Sequence, residues 1–281
     1  MTSAESAGRF VHYHEERGAG LPVLLVHGFG VSSYSWRHLV GPLSKKRRVI
    51  TVDLKGFGSS PKPCDERYSV HDQADLLCDF IIRHDLRELT LVGHSFGGAV
   101  ALFTTSQLTE REPGRLARLI LVDSIAFKQP LPAFIRRLLI PVVGPVGLYL
   151  LPAEVLVRSA LALAFYDATK VTGDMVRRYA EALKTPGGRH ALLQTARRMV
   201  SADTAELASA CEKIRVPTLI LWGREDRVVP LEVGVRLHET IPRSKLEIIE
   251  QCGHMPQEEK PEETLRIIAR FMDLFTKEES E

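Results

Sequence analysis

Ser95 stands in Gly93-His94-Ser95-Phe96-Gly97, a G-x-S-x-G sequence between the apolar run Glu88-Leu89-Thr90-Leu91-Val92 and an Ala/Leu-rich stretch that begins at Gly98. A chain that turns from strand to helix at one residue strains that residue, and small neighbours let the two elements approach. The hydroxyl is then lifted off the sheet beside the positive end of the helix. A serine hydroxyl is a poor nucleophile until a base removes its proton during attack. His254, in the loop at 251–256, offers that base. An imidazole, with an unperturbed pKa of about 6.5, accepts the proton and returns it to a leaving group, typically worth ~10²–10⁴-fold. Asp226, in the loop at 223–230, offers a carboxylate to the other ring nitrogen, fixing the tautomer and stabilising the imidazolium. The order nucleophile, acid, base is the one this arrangement requires.

Other acids compete with Asp226. Asp123 follows the apolar run Leu119-Ile120-Leu121-Val122 and ends near the same sheet edge, so it is the runner-up. Glu225 adjoins Asp226, but neighbours in a turn point different ways and only one faces the histidine. Asp53 precedes Gly56-Phe57-Gly58-Ser59 and reads as a turn-organising carboxylate that binds loop amides. For an oxyanion, Leu24-Leu25-Val26-His27-Gly28-Phe29-Gly30 ends a strand in a loop that presents the Phe29 N–H, and the Phe96 N–H is the second donor. As a dinucleotide fingerprint Gly28-Phe29-Gly30 fails, because Ser33 occupies the third glycine position. No nucleotide cofactor is expected.

These residues need a scaffold that delivers them to one edge. Apolar strands alternate with amphipathic helices, as at Val70–Arg83 and 262–275, the pattern of a parallel sheet covered on both faces. The predicted fold class is α/β: a mostly parallel sheet of about seven or eight strands flanked by helices, with an inserted helical cap. The first strand is predicted at 9–14. The alternation breaks over 126–212, where 133–140, 153–166, 173–184 and 189–200 read as helical, with Thr185-Pro186-Gly187-Gly188 between the last two. The expected organisation is a first core part at 1–125, a cap at 126–212 and a second core part at 213–281.

His27-Gly28, Asp53 through Ser59, Gly93 through Gly98, Asp226 and Gly253-His254 together resemble the α/β-hydrolase superfamily over nearly the whole chain. The resemblance implies a serine hydrolase with nucleophile Ser95, acid Asp226, base His254 and oxyanion donors Phe29 and Phe96. It further implies action on a carboxylic ester or related acyl bond through an acyl-enzyme. Members that dehalogenate or open epoxides carry Asp in place of the serine, so Ser95 argues against both reactions. The carbon–carbon hydrolases of ring-cleavage products are the alternative. They typically have Asn before the nucleophile, Met after it and Trp after the histidine, where this chain has His94, Phe96 and Met255. A ligand receptor on the same fold is the alternative from another class.

The 281 residues carry a formal net charge of +2 with 26% charged residues, the profile of an ordinary globular chain with no demand for nucleic acid. Cys64, Cys78, Cys211 and Cys252 have no paired metal or redox spacing, so no metal is expected. Met1-Thr2-Ser3-Ala4-Glu5 lacks the basic and apolar regions of a signal peptide, and a reducing cytoplasm is the expected location. Residues 138–151 are nearly devoid of polarity. That run reads as cap core or as the wall of a pocket for a small, apolar substrate, with interfacial membrane contact as the rival. Its prolines and glycines argue against a spanning helix, which needs ~20 regular residues. Arg177 and Arg178 are offered by the resemblance for a substrate carboxylate, though arginines on such a helix are more often solvated.

Overall fold

The computed structural model describes residues 13–127, 129–200 and 204–278. Seven strands form one sheet: β1 (Tyr13–Arg17), β2 (Pro22–Val26), β3 (Arg48–Asp53), β4 (Leu89–His94), β5 (Leu116–Val122), β6 (Thr218–Gly223) and β7 (Ser244–Ile249), in the order β1-β3-β2-β4-β5-β6-β7. Only β1 runs antiparallel, pairing Tyr13 with Asp53 and Arg17 with Val49. The predicted first strand at 9–14 meets β1 at Tyr13 and His14, β1 runs on past the predicted end to Arg17, and residues 9–12 fall outside the described residues. Its charges Glu15, Glu16 and Arg17 suit an edge strand with solvent beside it, and Glu16 is bonded to Arg48 at 2.7 Å.

Both faces of the inner parallel strands are buried. Val23, Leu25, Val49, Val92, Ile120 and Leu221 belong to one apolar cluster, whereas the alternating Leu24, Val26, Ile50, Leu91, Leu121 and Ile220 belong to the other. The first cluster is closed by α1 (Arg37–Leu43) and α12 (Pro261–Glu278). The second is closed by α2 (Val70–Arg83) and α3 (Phe96–Arg111), and by α10 (Leu231–Thr240) beside β6. Ser69 starts α2 with a reciprocal capping box: its hydroxyl accepts from Asp72 N at 3.1 Å and Asp72 accepts from Ser69 N at 2.9 Å.

The chain leaves β2 toward β3 on one side and returns to β4 on the other, so the order reverses between β2 and β4. Loops at the carboxyl ends of two such strands diverge and leave a crevice. Gly28-Phe29 follows β2 and Ser95 follows β4, at that crevice.

Between β5 and β6 the chain builds an inserted helical cap: α4 (Ala133–Leu138), α5 (Val143–Leu150), α6 (Ala153–Ala164), α7 (Gly173–Ala180), α8 (Pro186–Val200) and α9 (Thr204–Lys213). The last of these packs on α3 and α10 of the core. The apolar run at 138–151 is partly helical, because Pro145 falls in the first turn of α5, where the missing N–H is not needed. No helix among the described residues is long and apolar enough to cross a membrane.

Candidate active site

Ser95 joins β4 to α3 with φ 53° and ψ −118°. That positive φ is tolerated because nothing bulky surrounds the turn. A Cβ on Gly93 would stand 2.4 Å from the Gly97 carbonyl oxygen, and one on Gly97 would stand 2.3 Å from the His27 carbonyl oxygen. The next helix is buried nearly all round in its first ten residues, so the elbow is held by packing as well as by hydrogen bonds. Ser95 N donates to Val122 O at 2.9 Å, and Ser95 O accepts from Gly98 N at 2.9 Å and Ile125 N at 3.2 Å.

The hydroxyl lies in a hydrogen-bonded chain. Ser95 Oγ is 2.8 Å from His254 Nε2, and His254 Nδ1 is 2.7 Å from Asp226 Oδ2. All three residues are buried. Asp226 Oδ1 accepts from Val228 N at 2.7 Å and Val229 N at 2.9 Å, which aims the other oxygen at the histidine. An imidazole whose Nδ1–H is held by a carboxylate presents its Nε2 lone pair to the serine, so the arrangement suits proton removal from Oγ.

Asp123 is the second acid at this rim and it behaves differently. It is fully buried, its Oδ1 accepts from Gly223 N at 2.9 Å, and its Oδ2 has no hydrogen-bond partner among the described residues. Donor atoms of Asp123, Asp226 and His254 lie within 4.8 Å of one another. Burial first, and then the negative charge of Asp226, push the Asp123 carboxyl well above the usual carboxylate range, which favours its protonated form. Three such donors are a conceivable metal set, but Asp226 and His254 are spent on each other and on the amides of Val228 and Val229. Glu225 turns away from the histidine and accepts from Cys252 N at 2.9 Å, tying the two loops together. Asp53 binds Ser33 N and Ser59 N, each at 2.7 Å, and organises the loops after β2 and β3 as expected.

The loop after β2 comes close to Ser95: a Cβ on Gly28 would meet Ser95 Cβ at 3.1 Å. His27 fixes this loop. Its Nε2 accepts from Leu54 N at 2.9 Å, so Nδ1 carries the hydrogen and donates to Gly28 O at 2.8 Å. Burial holds this ring below its ordinary pKa, hence neutral, as an accepting nitrogen requires. In a trans peptide C=O and N–H point in opposite directions, so fixing the Gly28 carbonyl also fixes the Phe29 N–H.

Four further residues, none marked by the sequence reading for a role in the site, set the base loop. His94 is buried and neutral, held well below the ordinary histidine value by burial and by His254 nearby, and its Nε2 donates to His254 O at 2.7 Å. Glu259 accepts from Gly253 N at 2.8 Å with one oxygen, which also accepts from Tyr166 N at 3.1 Å, while the other accepts from Asp167 N at 2.7 Å. Glu258 binds Arg37 at 2.5 Å and the hydroxyl of Tyr179 on α7. Burial and the charge of Glu258 keep Tyr179 protonated, hence a donor. His254 N itself donates to Ala164 O, the last residue of α6, at 2.6 Å. Cap and base loop are therefore one hydrogen-bonded unit. Two consecutive acids on the short, wholly buried α11 (Pro256–Glu259) were the available signal.

Ser95 and His254 open into a cavity of about 160 Å³ under the cap, walled by Phe29, Phe134, Leu148, Leu156, Leu161 and Leu192 among others. Among the described residues the lining holds no Lys, Arg, Asp, Glu, Asn or Gln. Arg177 and Arg178 lie outside it and are exposed; the first pairs with Asp174 at 3.4 Å, the second lies 5.3 Å from the centre of the Tyr34 ring.

The chain belongs to the alpha/beta hydrolase fold family, whose pattern it matches over residues 22–261. It is 30% identical over 272 residues to a 2-hydroxymuconate semialdehyde hydrolase of Pseudomonas putida, covering 95% of this chain and 92% of the relative. It is 32% identical over 261 residues to a 2-hydroxy-6-oxo-2,4-heptadienoate hydrolase, also of Pseudomonas putida, covering 91% and 90%. Among solved structures, a meta-cleavage product hydrolase from Pseudomonas fluorescens IP01 superposes with a TM-score of 0.79 at 28% identity, covering 94% of each chain.

Proposed function

We propose that this chain is a serine hydrolase in which Ser95 is the nucleophile, His254 the general base and acid, Asp226 its orienting carboxylate, and the N–H groups of Phe29 and Phe96 the oxyanion donors. The observation that carries the reading is the bonded run Ser95–His254–Asp226 at 2.8 and 2.7 Å, opening into an apolar cavity. Ser95 Oγ attacks a carbonyl carbon while its proton passes to His254 Nε2. The carbonyl oxygen becomes an oxyanion between the two amides, each such donor usually being worth ~10²–10³-fold. Collapse breaks the bond to the leaving group, which takes the proton from Nε2 and leaves an acyl group on Ser95. Water, deprotonated by the same nitrogen, then releases the acid and restores the serine.

The relatives favour one bond over the others. Their names support hydrolysis of a carbon–carbon bond beside a ketone in a ring-cleavage product, and that reading stands first. The leaving group is then a carbon atom, protonated by His254 Nε2. Hydrolysis of a carboxylic ester of a small apolar substrate is the second reading, and one observation favours it. A dienoate carries a carboxylate, yet no cation or amide side chain lines the cavity to receive it, and a buried unpaired carboxylate is penalised by several kcal/mol. A cytoplasmic location belongs to the same proposal and is supported by four cysteines that are all free thiols.

A substrate panel decides between the readings. Turnover of a vinylogous diketone acid, with kcat/KM above that of every member of an aryl-ester chain-length series, supports the first. Brisk ester hydrolysis with the diketone acid refused reverses the order. No turnover of either, in a folded protein whose Ser95 resists acylating probes, leaves a ligand-binding protein on this fold.

A further inference from the structure

The outer face of the cap is apolar and uncovered. Helix α5, VGPVGLYL, has no charged or amide side chain, and a helix that is apolar all round ordinarily lies buried. Here Gly144 and Leu148 face inward, while Val143, Val146 and Leu150, spaced for the opposite stripe, are exposed. The exposure continues along the chain through Ile140, Val142, Leu151 and Val155. Single exposed apolar residues are unremarkable, but a continuous patch marks a surface that meets something.

The backbone is strained to present this patch. Val142, between α4 and α5, has φ 65° and ψ −55°, and Val143 N donates to Pro141 O at 2.7 Å. That is a γ-turn with positive central φ, rare and strained, at a β-branched residue. Val142 is 74% exposed. Strain that places an apolar side chain in water needs a compensating contact elsewhere.

The charges beside the patch identify that contact. Residues 133–164 carry Arg136, Arg137 and Arg158 and a single acid, Glu154. Glu154 is paired with Lys184 at 3.2 Å, whereas the three arginines have no carboxylate partner among the described residues. Arg136 and Arg137 lie on α4 just before the patch, and Arg158 lies one turn beyond Val155 on α6. Helices α5 and α6 meet at 113°, so the pair is bent and one side of α6 is already used in the fold. The face therefore rests on a layer and does not cross it. An apolar strip flanked by arginines is the pattern of an element lying in the headgroup region of an anionic bilayer. A second copy would bring the same arginines to the same face.

We propose that the cap surface from Ile140 to Val155 docks this protein on anionic lipid membranes, placing the wall of the reaction cavity directly over the layer from which an apolar substrate partitions. The use of the docked state rests on the serine-hydrolase reading, but the docking itself does not, because Val142, Val146 and Leu150 are absent from the cavity lining.

Flotation with vesicles tests it, using phosphatidylcholine alone and phosphatidylcholine mixed with phosphatidylglycerol, at low and raised salt. The expected result is binding to the mixed vesicles that weakens with salt. Val142→Ser/Val146→Ser/Leu150→Ser is expected to bind at least tenfold more weakly, and Arg136→Gln/Arg137→Gln/Arg158→Gln to lose roughly fivefold per arginine. Both variants are expected to keep the wild-type circular dichroism and the wild-type rate of any soluble-substrate hydrolysis, and Ser95→Ala to float as the wild type does. Absence of flotation with the mixed vesicles, or equal flotation of the serine triple variant, overturns the proposal. So does a wild-type dimer in sedimentation that this triple variant dissociates while vesicles bind neither form, since the face then joins two copies.

Discussion

The carboxyl rim of the sheet and the cap above it handle their polar groups in opposite ways. At the rim, Asp226, Asp53 and Glu225 each accept loop amides, so backbone and side chain fix one another. In the cap the inner and outer faces of α5 are both apolar, and the polar pins sit at the cap's edges, to the base loop through Glu258 and Glu259 and to core loops through Asp174, His190 and Arg198. The rim is built for fixed geometry, while the cap is built for apolar contact on two sides and is held at its edge. Disturbing the rim should therefore change the rate of chemistry, and disturbing the cap should change what binds.

The sharpest test of the rim separates its two acids. Asp226→Asn presents the wrong group to His254 and is expected to lower kcat by about 10⁴-fold. Asp123→Asn resembles the protonated carboxyl already there and is expected to stay within about tenfold of wild type. The reverse ranking in steady-state kinetics would show that the triad acid is Asp123. Asp123→Asn should also raise Tm at pH 7. The unfolded carboxyl ionises from about pH 4 upward while burial shifts ionisation of the folded one to higher pH, so its favourable share is complete below about pH 4 and is lost as pH rises.

The junction comes next. Glu259→Gln keeps the shape but weakens the acceptor for Gly253, Tyr166 and Asp167. Misplacing a catalytic group by about 1 Å can lower rate ~10²-fold, so kcat/KM should fall by about that factor while Tm falls modestly. Unchanged kinetics would detach the clamp from catalysis. Gly93→Ala forces a Cβ to within 2.4 Å of Gly97 O and should destabilise by about 1–3 kcal/mol in urea unfolding.

The smallest effect is the stability of the rim against acid. His27 and His94 are kept neutral by burial, below their ordinary value, whereas the unfolded chain protonates them from about pH 6.5 downward. The unfolded state then binds more protons, so stability is full above that pH and declines below it, by up to about 1.4 kcal/mol per pH unit for each histidine. Urea midpoints at pH 7.5 and about 5.5 measure it, and His94→Gln should reduce the slope.

What the sequence revealed follows the same division. Ser95, His254, Asp226 and the loop before Phe29 were legible because glycines, strand ends and turn chemistry leave local marks. The clamp through Glu258 and Glu259 was not, since its partners lie as far away as Arg37, 221 residues off in sequence. Helix α5 was hidden by its own proline and two glycines, and the exposure of Val142 and Leu150 depends on how α4, α5 and α6 stack, which no periodicity encodes. The first strand runs past its predicted end at residue 14 to Arg17, because an edge strand accepts charged residues such as Glu15 and Glu16 on its open side.

The central claim is that residue 95 is an activated alcohol, and covalent labelling with a fluorophosphonate tests it most directly. The account predicts one adduct per chain, mapped by peptide mass analysis to Ser95 and lost in His254→Ala despite wild-type folding. A folded wild-type protein that stays unlabelled, or that carries its adduct on another serine, would contradict it.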